Sequence, residues 1–135
     1  MKELKLEAKT ENLQDVLDFI DGALESVDCP MKIQMQIDVA VEEMYVNVAH
    51  YAYAPETGEV TITIDVESTP GKAVITLTDR GVPFDPTAKE DPDVTLSAAE
   101  RQIGGLGIYM VKKSMDSLEY AYENDSNIVT LTKTL

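Results

Sequence analysis

A carboxylate and an amide stand four residues apart in the segment EEMYVNVAH, at Glu43 and Asn47. Four residues of an α-helix turn through about 400°, so both side chains would lie on one line, beside the apolar residues Met44 and Val48. A carboxylate and an amide oxygen at the edge of a core suit a magnesium site or a general base. The alternative is a solvated helix acid next to an ordinary surface residue.

A second candidate group follows in LTDRGVPFDP, where Asp79 ends an apolar run and Gly81 comes two residues later. An Asp that emerges from a core strand can accept a hydrogen bond from an exocyclic amine, and a glycine lets a flat ring approach the backbone. An ordinary Asp-x-Gly turn at a strand end is the alternative.

A glycine cluster completes the set, because Gly104, Gly105 and Gly107 in GGLGIYMVKK precede a helical pattern. Free N–H groups at a helix start and the helix dipole favour an anion. No Gly-Lys-Ser/Thr follows, and the G-x-G-x-x-G fingerprint is incomplete, which disfavours the P-loop and Rossmann nucleotide folds. The glycines are therefore either a phosphate cradle or a flexible joint.

Three helices are predicted from apolar residues at three- and four-residue spacing. The first covers 11–27, and the last runs from about Ile108 to Met115. The longest begins at Pro30 and follows an apolar stripe made of Ile33, Ile37, Val41, Met44, Val48 and Tyr51 to about Tyr53.

Strands are predicted from alternation and β-branched runs. MKELKLEAKT opens the chain with one strand, EVTITIDVE and KAVITLTD form a hairpin, and SLEYAYE and NIVTLTKTL form a closing hairpin. A loop over 81–103 has the length of a functional lid. This order predicts a single α+β domain over 1–135, with a mainly antiparallel sheet covered on one face by three helices.

Charge and composition exclude several classes of function. The chain has 25 acidic and 11 basic residues, a net charge of -14, which repels nucleic acid and anionic membrane surfaces. Its one cysteine, Cys29, cannot form an internal disulfide, and no apolar run suits a signal or a membrane span, so a cytoplasmic location is expected. The one histidine, His50, is predicted to pack on the long helix rather than to accept a phosphoryl group.

The order of these motifs resembles the Bergerat-fold (GHKL) ATPases, and most closely the bacterial anti-sigma factor serine/threonine kinases, which share a histidine kinase-like ATPase domain. EEMYVNVAHYAY looks like their N box, DRGVPFDP like their first glycine box and ERQIGGLGIYMVKKSMDSLEY like their second, while NIVTLTKTL is similar to their last strand. The resemblance implies a two-layer sandwich of a mixed, mainly antiparallel sheet and three helices. It also implies ATP and Mg²⁺ as ligands.

The resemblance further implies roles for single residues. Glu43 matches the general base and Asn47 the magnesium ligand, while Asp79 would bind the adenine amine above Gly81. At the phosphates the matching residues are Arg101, for the terminal phosphate, Gly104, where the lid would swing, and Gly105 and Gly107, through their N–H groups.

Two departures from the family pattern stand out. Pro83 replaces a second glycine of the first box, as it often does in the anti-sigma subset. Ser126-Asn127 stands where many relatives have Gly-Thr, whose Thr contacts adenine, so either Asn127 takes over that contact or the contact is lost.

The function implied by the resemblance is an ATP-dependent kinase that phosphorylates a serine or threonine of an antagonist protein and sequesters a sigma factor. Relatives of this type are commonly homodimers. Two other hypotheses remain: an ATP-binding regulatory module without phosphoryl transfer, and a small α+β protein that binds no nucleotide. No partner surface can be identified from the sequence.

Overall fold

The computed structural model describes residues 1–53, 56–67, 71–88 and 105–135. Short 3₁₀ turns lie at Thr10–Asn12 and Pro86–Ala88, and a π-helical turn, Val48–Ala52, continues the second helix. The main elements in chain order are β1 Lys2–Glu7, α1 Leu13–Glu25, α2 Met31–Asn47, β2 Glu59–Glu67, β3 Lys72–Asp79, α3 Gly105–Ser114, β4 Ser117–Glu123 and β5 Ser126–Thr134.

The five strands form one sheet in the order β1-β2-β3-β5-β4, and each neighbouring pair is antiparallel. β5 therefore inserts between β3 and β4, and its register places Asn127 opposite Asp79. The turn between β4 and β5 has positive φ at Asn124 and Asp125, 52° and 60°, as a two-residue type I′ hairpin requires. The sheet thus brings two candidate site residues together.

The core lies between one face of the sheet and the three helices. Alternate strand residues face the helices, and those of the three central strands are buried: Val60, Ile62, Ile64, Ala73, Ile75, Leu77, Val129 and Leu131. The helices contribute Val16, Ile20, Leu24, Ile37, Val41, Met44, Ile108 and Val111. This arrangement confirms the predicted α+β fold with helices on one face.

The end of α2 departs from the predicted apolar stripe. Tyr51 was expected to be buried but is 57% exposed, whereas the neighbouring Ala52 is buried. A π-helical turn carries one more residue than an α-helical turn, so the phase of the stripe shifts by about one position. Tyr45 is the large aromatic side chain that the core does contain, and its hydroxyl donates to the Lys9 carbonyl oxygen at 2.6 Å.

The third helix begins three residues before the predicted start. Gly105 and Gly107 therefore lie in the first turn of α3 rather than in front of it. The first N–H groups of a helix have no partner within the helix, so these glycines still stand where an anion would be met. Arg101, Gly104 and the part of the predicted lid from 89 to 103 lie outside the described residues.

Candidate functional site

A cleft lies between the C-terminal part of α2 and the adjoining ends of β3 and β5. The cleft is narrow, because the volume open to the centres of water molecules is about 30 Å³. Apolar side chains form most of its wall, and the polar side chains in it are Asn47, Asp79 and Asn127. A mostly apolar cleft with a few convergent polar groups is the usual form of a small-molecule site.

Asp79 is held with one carboxylate oxygen occupied and one open. The residue is 5% exposed, and its Oδ1 accepts hydrogen bonds from the Gly81 N–H at 2.9 Å and from Asn127 Nδ2 at 3.0 Å. Within the described part of the chain, no group donates to Oδ2. Because Asp79 lines the cleft, Oδ2 is suited to accept a hydrogen bond from a ligand there.

Asn127 is committed to the protein rather than to the cleft. Its Nδ2 donates to Asp79 and, at 2.9 Å, to the Val82 carbonyl oxygen. Its Oδ1 accepts from the Phe84 N–H at 3.1 Å and from the Tyr120 hydroxyl at 2.5 Å. These bonds use both donors and both lone pairs of the amide. Asn127 therefore orients Asp79 and the chain that follows it, and has no free group for a direct ligand contact.

Gly81 sits where no side chain fits. A Cβ on this residue would lie 2.6 Å from Ala52 Cβ, and the Ala52 carbonyl group would be nearer still. The next residue seals this contact, because the Val82 N–H donates to the Ala52 carbonyl oxygen at 2.8 Å. The glycine thus permits the close approach of β3 to the π-helical turn, which is a different reason from the ring contact that the sequence suggested.

Glu43 and Asn47 lie on the side of α2 that faces α3. An added Cβ on Gly107 would come within 2.8 Å of Glu43 Oε2, with Oε1 and Cδ nearer still. The Glu43 carboxylate is therefore in direct contact with the first turn of α3. One turn further along α2, Asn47 Nδ2 is buried without a hydrogen-bond partner among the described residues.

Aromatic rings form the rim of the cleft. The Tyr51 ring lies 6.3 Å from the Phe84 ring at an angle of 27°, so the two are stacked. His50 is exposed and contacts Tyr51 edge-on, with ring centroids 6.0 Å apart. The prediction that His50 packs on the helix was wrong, because the π-helical turn carries it to the surface.

Four aromatic residues lie at this site although the sequence motifs did not indicate them as site residues: Tyr51, Tyr53, Phe84 and Tyr120. Tyr53 accepts from the Arg80 N–H at 2.8 Å and donates to the Glu59 carbonyl oxygen at 2.6 Å, which ties the end of the π-helical turn to β2 and β3. Burial is the main cause that raises the pKa of the Tyr53 hydroxyl, so it remains a donor at neutral pH. The available signal was their position inside or next to the quoted boxes.

Comparison with known proteins agrees with this architecture. The sequence pattern of the histidine kinase-like ATPase domain matches residues 6–133. A protein described as serine/threonine-protein kinase BtrW, from Bordetella bronchiseptica, is 24% identical over 101 residues, which make up 75% of this chain and 70% of that protein.

Two solved structures share the fold at 15% identity. The RsbU and RsbW domains of Rv1364c from Mycobacterium tuberculosis align over 100% of this chain with a TM-score of 0.65, and this chain spans 33% of that one. The histidine kinase AdeS of Acinetobacter baumannii aligns over 99% of this chain and 68% of its own, with a TM-score of 0.53. Among the described residues, no helix is long and apolar enough to cross a membrane.

Proposed function

The chain belongs to the histidine kinase-like ATPase domain family, and on that premise we propose that it is an ATP-dependent serine/threonine kinase of the anti-sigma type. It would phosphorylate a serine or threonine of a small antagonist protein and sequester a sigma factor until the unphosphorylated antagonist displaces it. The observation that carries the proposal is the contact between the Glu43 carboxylate and the first turn of α3 at Gly107. With Glu43 as the base, that contact would put the base beside N–H groups that favour phosphate.

The polar groups around Asp79 support adenine as the nucleobase that the cleft binds. A carboxylate oxygen such as the open Oδ2 of Asp79 can accept a hydrogen bond but cannot donate one. It therefore favours a nucleobase with an exocyclic amine. Asn127 and the Gly81 N–H fix the carboxylate before any ligand arrives. The Tyr51 and Phe84 rings at the rim would exclude water from the bound base.

Beside the cleft, where Glu43 of α2 contacts Gly107 of α3, the described residues would suit the phosphates and their metal. Gly105 and Gly107 offer N–H groups of the first turn of α3. The Asn47 amide has a nitrogen that no described residue pairs with, so the amide is available to a ligand. Its oxygen is of the type that Mg²⁺ prefers, so Asn47 is the residue that would hold the ion. The bound ion would neutralise charge on the phosphates.

Glu43 would act as the general base. It would take the proton from the acceptor hydroxyl as the oxygen forms its bond to the terminal phosphorus of ATP and ADP leaves. Phosphoryl transfer needs mainly positioning and charge neutralisation, and the Glu43 carboxylate beside α3 would suit that task. A homodimer is part of the same proposal, since the resemblance to anti-sigma kinases implies it.

The deciding experiment is transfer of radiolabelled phosphate from Mg-ATP to a candidate antagonist protein. Glu43→Gln should retain ATP binding and lose transfer, whereas Glu119→Gln on the exposed part of β4 should retain both. Tight ATP binding with no label on any acceptor would instead favour a regulatory module that binds ATP without transferring phosphate. Unchanged transfer by Glu43→Gln would remove Glu43 from the role of base.

A further inference from the structure

The second helix is apolar on its outer side as well as towards the core. Met31, Met35 and Val39 follow one another at four-residue intervals and are 66%, 60% and 56% exposed. A surface helix normally presents polar residues to solvent. No described residue covers this outer apolar stripe of α2. Contiguous exposed apolar side chains commonly mark a site of protein interaction.

An acidic ridge runs along the same side of the molecule, where α1 packs against α2. It consists of Asp21 and Glu25 of α1 and Asp38 and Glu42 of α2. None of the ion pairs formed by the described residues involves these four acids. Among the described residues, Asp21 Oδ1 and Asp38 Oδ1 are both buried without a hydrogen-bond partner.

Burial and the neighbouring acids together disfavour the ionised form of the Asp38 carboxyl group. Burial, a hydrogen bond with Asp21 and the charges of Asp21, Glu25 and Glu42 raise the pKa of Asp38 to about 8. A cation placed against the ridge would relieve this repulsion, because opposite charges favour the ionised form of a carboxyl group. The ridge therefore favours contact with cationic side chains, and no described residue forms an ion pair with it.

We propose that the outer apolar stripe of α2 and the acidic ridge together form a docking surface for a basic amphipathic helix of a partner protein. The apolar face of that helix would cover Met31, Met35 and Val39, and its Lys or Arg residues would meet the ridge. Methionine side chains adapt readily to differently shaped apolar partners. Recognition through an amphipathic helix laid on an apolar surface is a recurrent mode of binding.

The alternatives to a basic partner fit the charges less well. A second copy of this chain would bring two acidic ridges together, each on a molecule of net charge -14. An anionic membrane surface would be repelled in the same way. Val39 precedes Glu43 by four residues on α2, so one end of the docking surface adjoins the Glu43 side chain. The inference does not depend on phosphoryl transfer.

The test uses fluorescent peptides and the whole chain. The probe is an amphipathic helical peptide of Leu and Lys, compared with a scrambled peptide of the same composition and with a Leu and Glu version, by fluorescence anisotropy. The wild-type chain should bind the amphipathic Leu and Lys peptide more tightly than either control. Binding of the scrambled peptide with equal affinity would overturn the proposal, because it would show attraction by net charge alone.

Matched double variants locate the surface. Met35→Ser with Val39→Ser, and separately Glu25→Gln with Glu42→Gln, should each weaken binding about tenfold. On β4, the double variant Glu119→Gln with Glu123→Gln matches the acid pair, and the single variant Tyr122→Ser removes one exposed apolar side chain. Both should leave binding unchanged.

All the changed side chains are exposed, so the fold of each variant should survive, and circular dichroism melting checks this. Equal losses in the α2 and β4 variants, or no binding of the amphipathic peptide at all, would refute the docking surface. Self-association of the wild-type chain that is lost in the Met35→Ser, Val39→Ser variant would assign the surface to a second copy and would also refute it.

Discussion

Adding one methyl group at Gly107 should separate the position of Glu43 from the stability of the fold. The new Cβ would lie 2.8 Å from Glu43 Oε2 and nearer still to Oε1 and Cδ, whereas ordinary Cβ contacts begin at 3.4 Å. The carboxylate must therefore withdraw by roughly 1 Å or more, and it can do so because it ends a flexible side chain. Alanine also favours a helix over glycine by about 0.5–1 kcal/mol, so the fold should not be weakened.

The expected loss is in the rate of phosphoryl transfer. A displacement of about 1 Å in a reacting group can cost roughly 100-fold in rate, equivalent to about 2.7 kcal/mol of transition-state stabilisation. Gly107→Ala should therefore transfer phosphate about 100-fold more slowly, with a melting temperature equal to or above that of the wild type. Single-turnover transfer of radiolabelled phosphate measures the rate, and calorimetry measures ATP binding and melting.

Two comparisons make the experiment decisive. Gly22 in α1 has nothing within 4 Å of its added Cβ, so Gly22→Ala makes the same chemical change without a neighbour and should leave the rate unchanged. In a Glu43→Gln background, Gly107→Ala should cause little further loss, because two changes that act through one group are not additive. A wild-type rate for Gly107→Ala, or full additivity with Glu43→Gln, would refute the reasoning.

Two further predictions concern stability. Because the pKa of Asp38 is raised from 3.8 to about 8 in the folded chain, the folded state holds a proton that the unfolded state releases, and this contribution to stability is lost as pH rises from about 4 to 8. Asp38→Asn should therefore stabilise the fold by about 1–2 kcal/mol at pH 8.5, a value reduced for solvent screening, and by much less at pH 4.5; urea unfolding with equal effects at both pH values would contradict this. Asn127→Ala should destabilise the fold by about 2–4 kcal/mol, since it removes one of the two donors to Asp79 Oδ1 and leaves the Phe84 N–H without its acceptor. Tyr120→Phe, which removes a single bond to Asn127, should cost about 1 kcal/mol in the same assay.

The strands and their pairing within hairpins were predictable because the signal is local. Alternation of apolar and polar residues marked β2 and β3 at their observed bounds, 59–67 and 72–79. The exposure of Tyr51 was not predictable from a period of 3.6 residues, because the π-helical turn breaks that period. Such a turn depends on the contact that the Ala52 carbonyl oxygen makes with Val82, 30 residues away in sequence.

The site was predictable in its parts but not in its connections. Four-residue spacing was enough to place Glu43 and Asn47 on one side of α2. The bond between Asp79 and Asn127 joins residues 48 positions apart, and it depends on which strands pair and in what register, which no local pattern contains. The outer apolar stripe of α2 was not predictable for a related reason. Four-residue spacing of Met31, Met35 and Val39 fits a buried helix face as well as an exposed one.

The cleft at Asp79 and the adjoining contact between α2 and α3 differ in how far they are organised before a ligand binds. At the Asp79 end, Asn127 joins the carboxylate to the Val82 carbonyl, the Phe84 N–H and Tyr120, so the shape of the base site is fixed by the protein. Next to Glu43, no described residue pairs with the Asn47 nitrogen, and the Glu43 carboxylate contacts Gly107 of α3. A buried amide without a partner is costly, and a bound ligand would remove that cost. Binding of the adenine ring should therefore be little changed by substitutions at Glu43. The geometry of phosphoryl transfer should depend on side chains that gain their hydrogen-bond or metal partners only when the ligand binds.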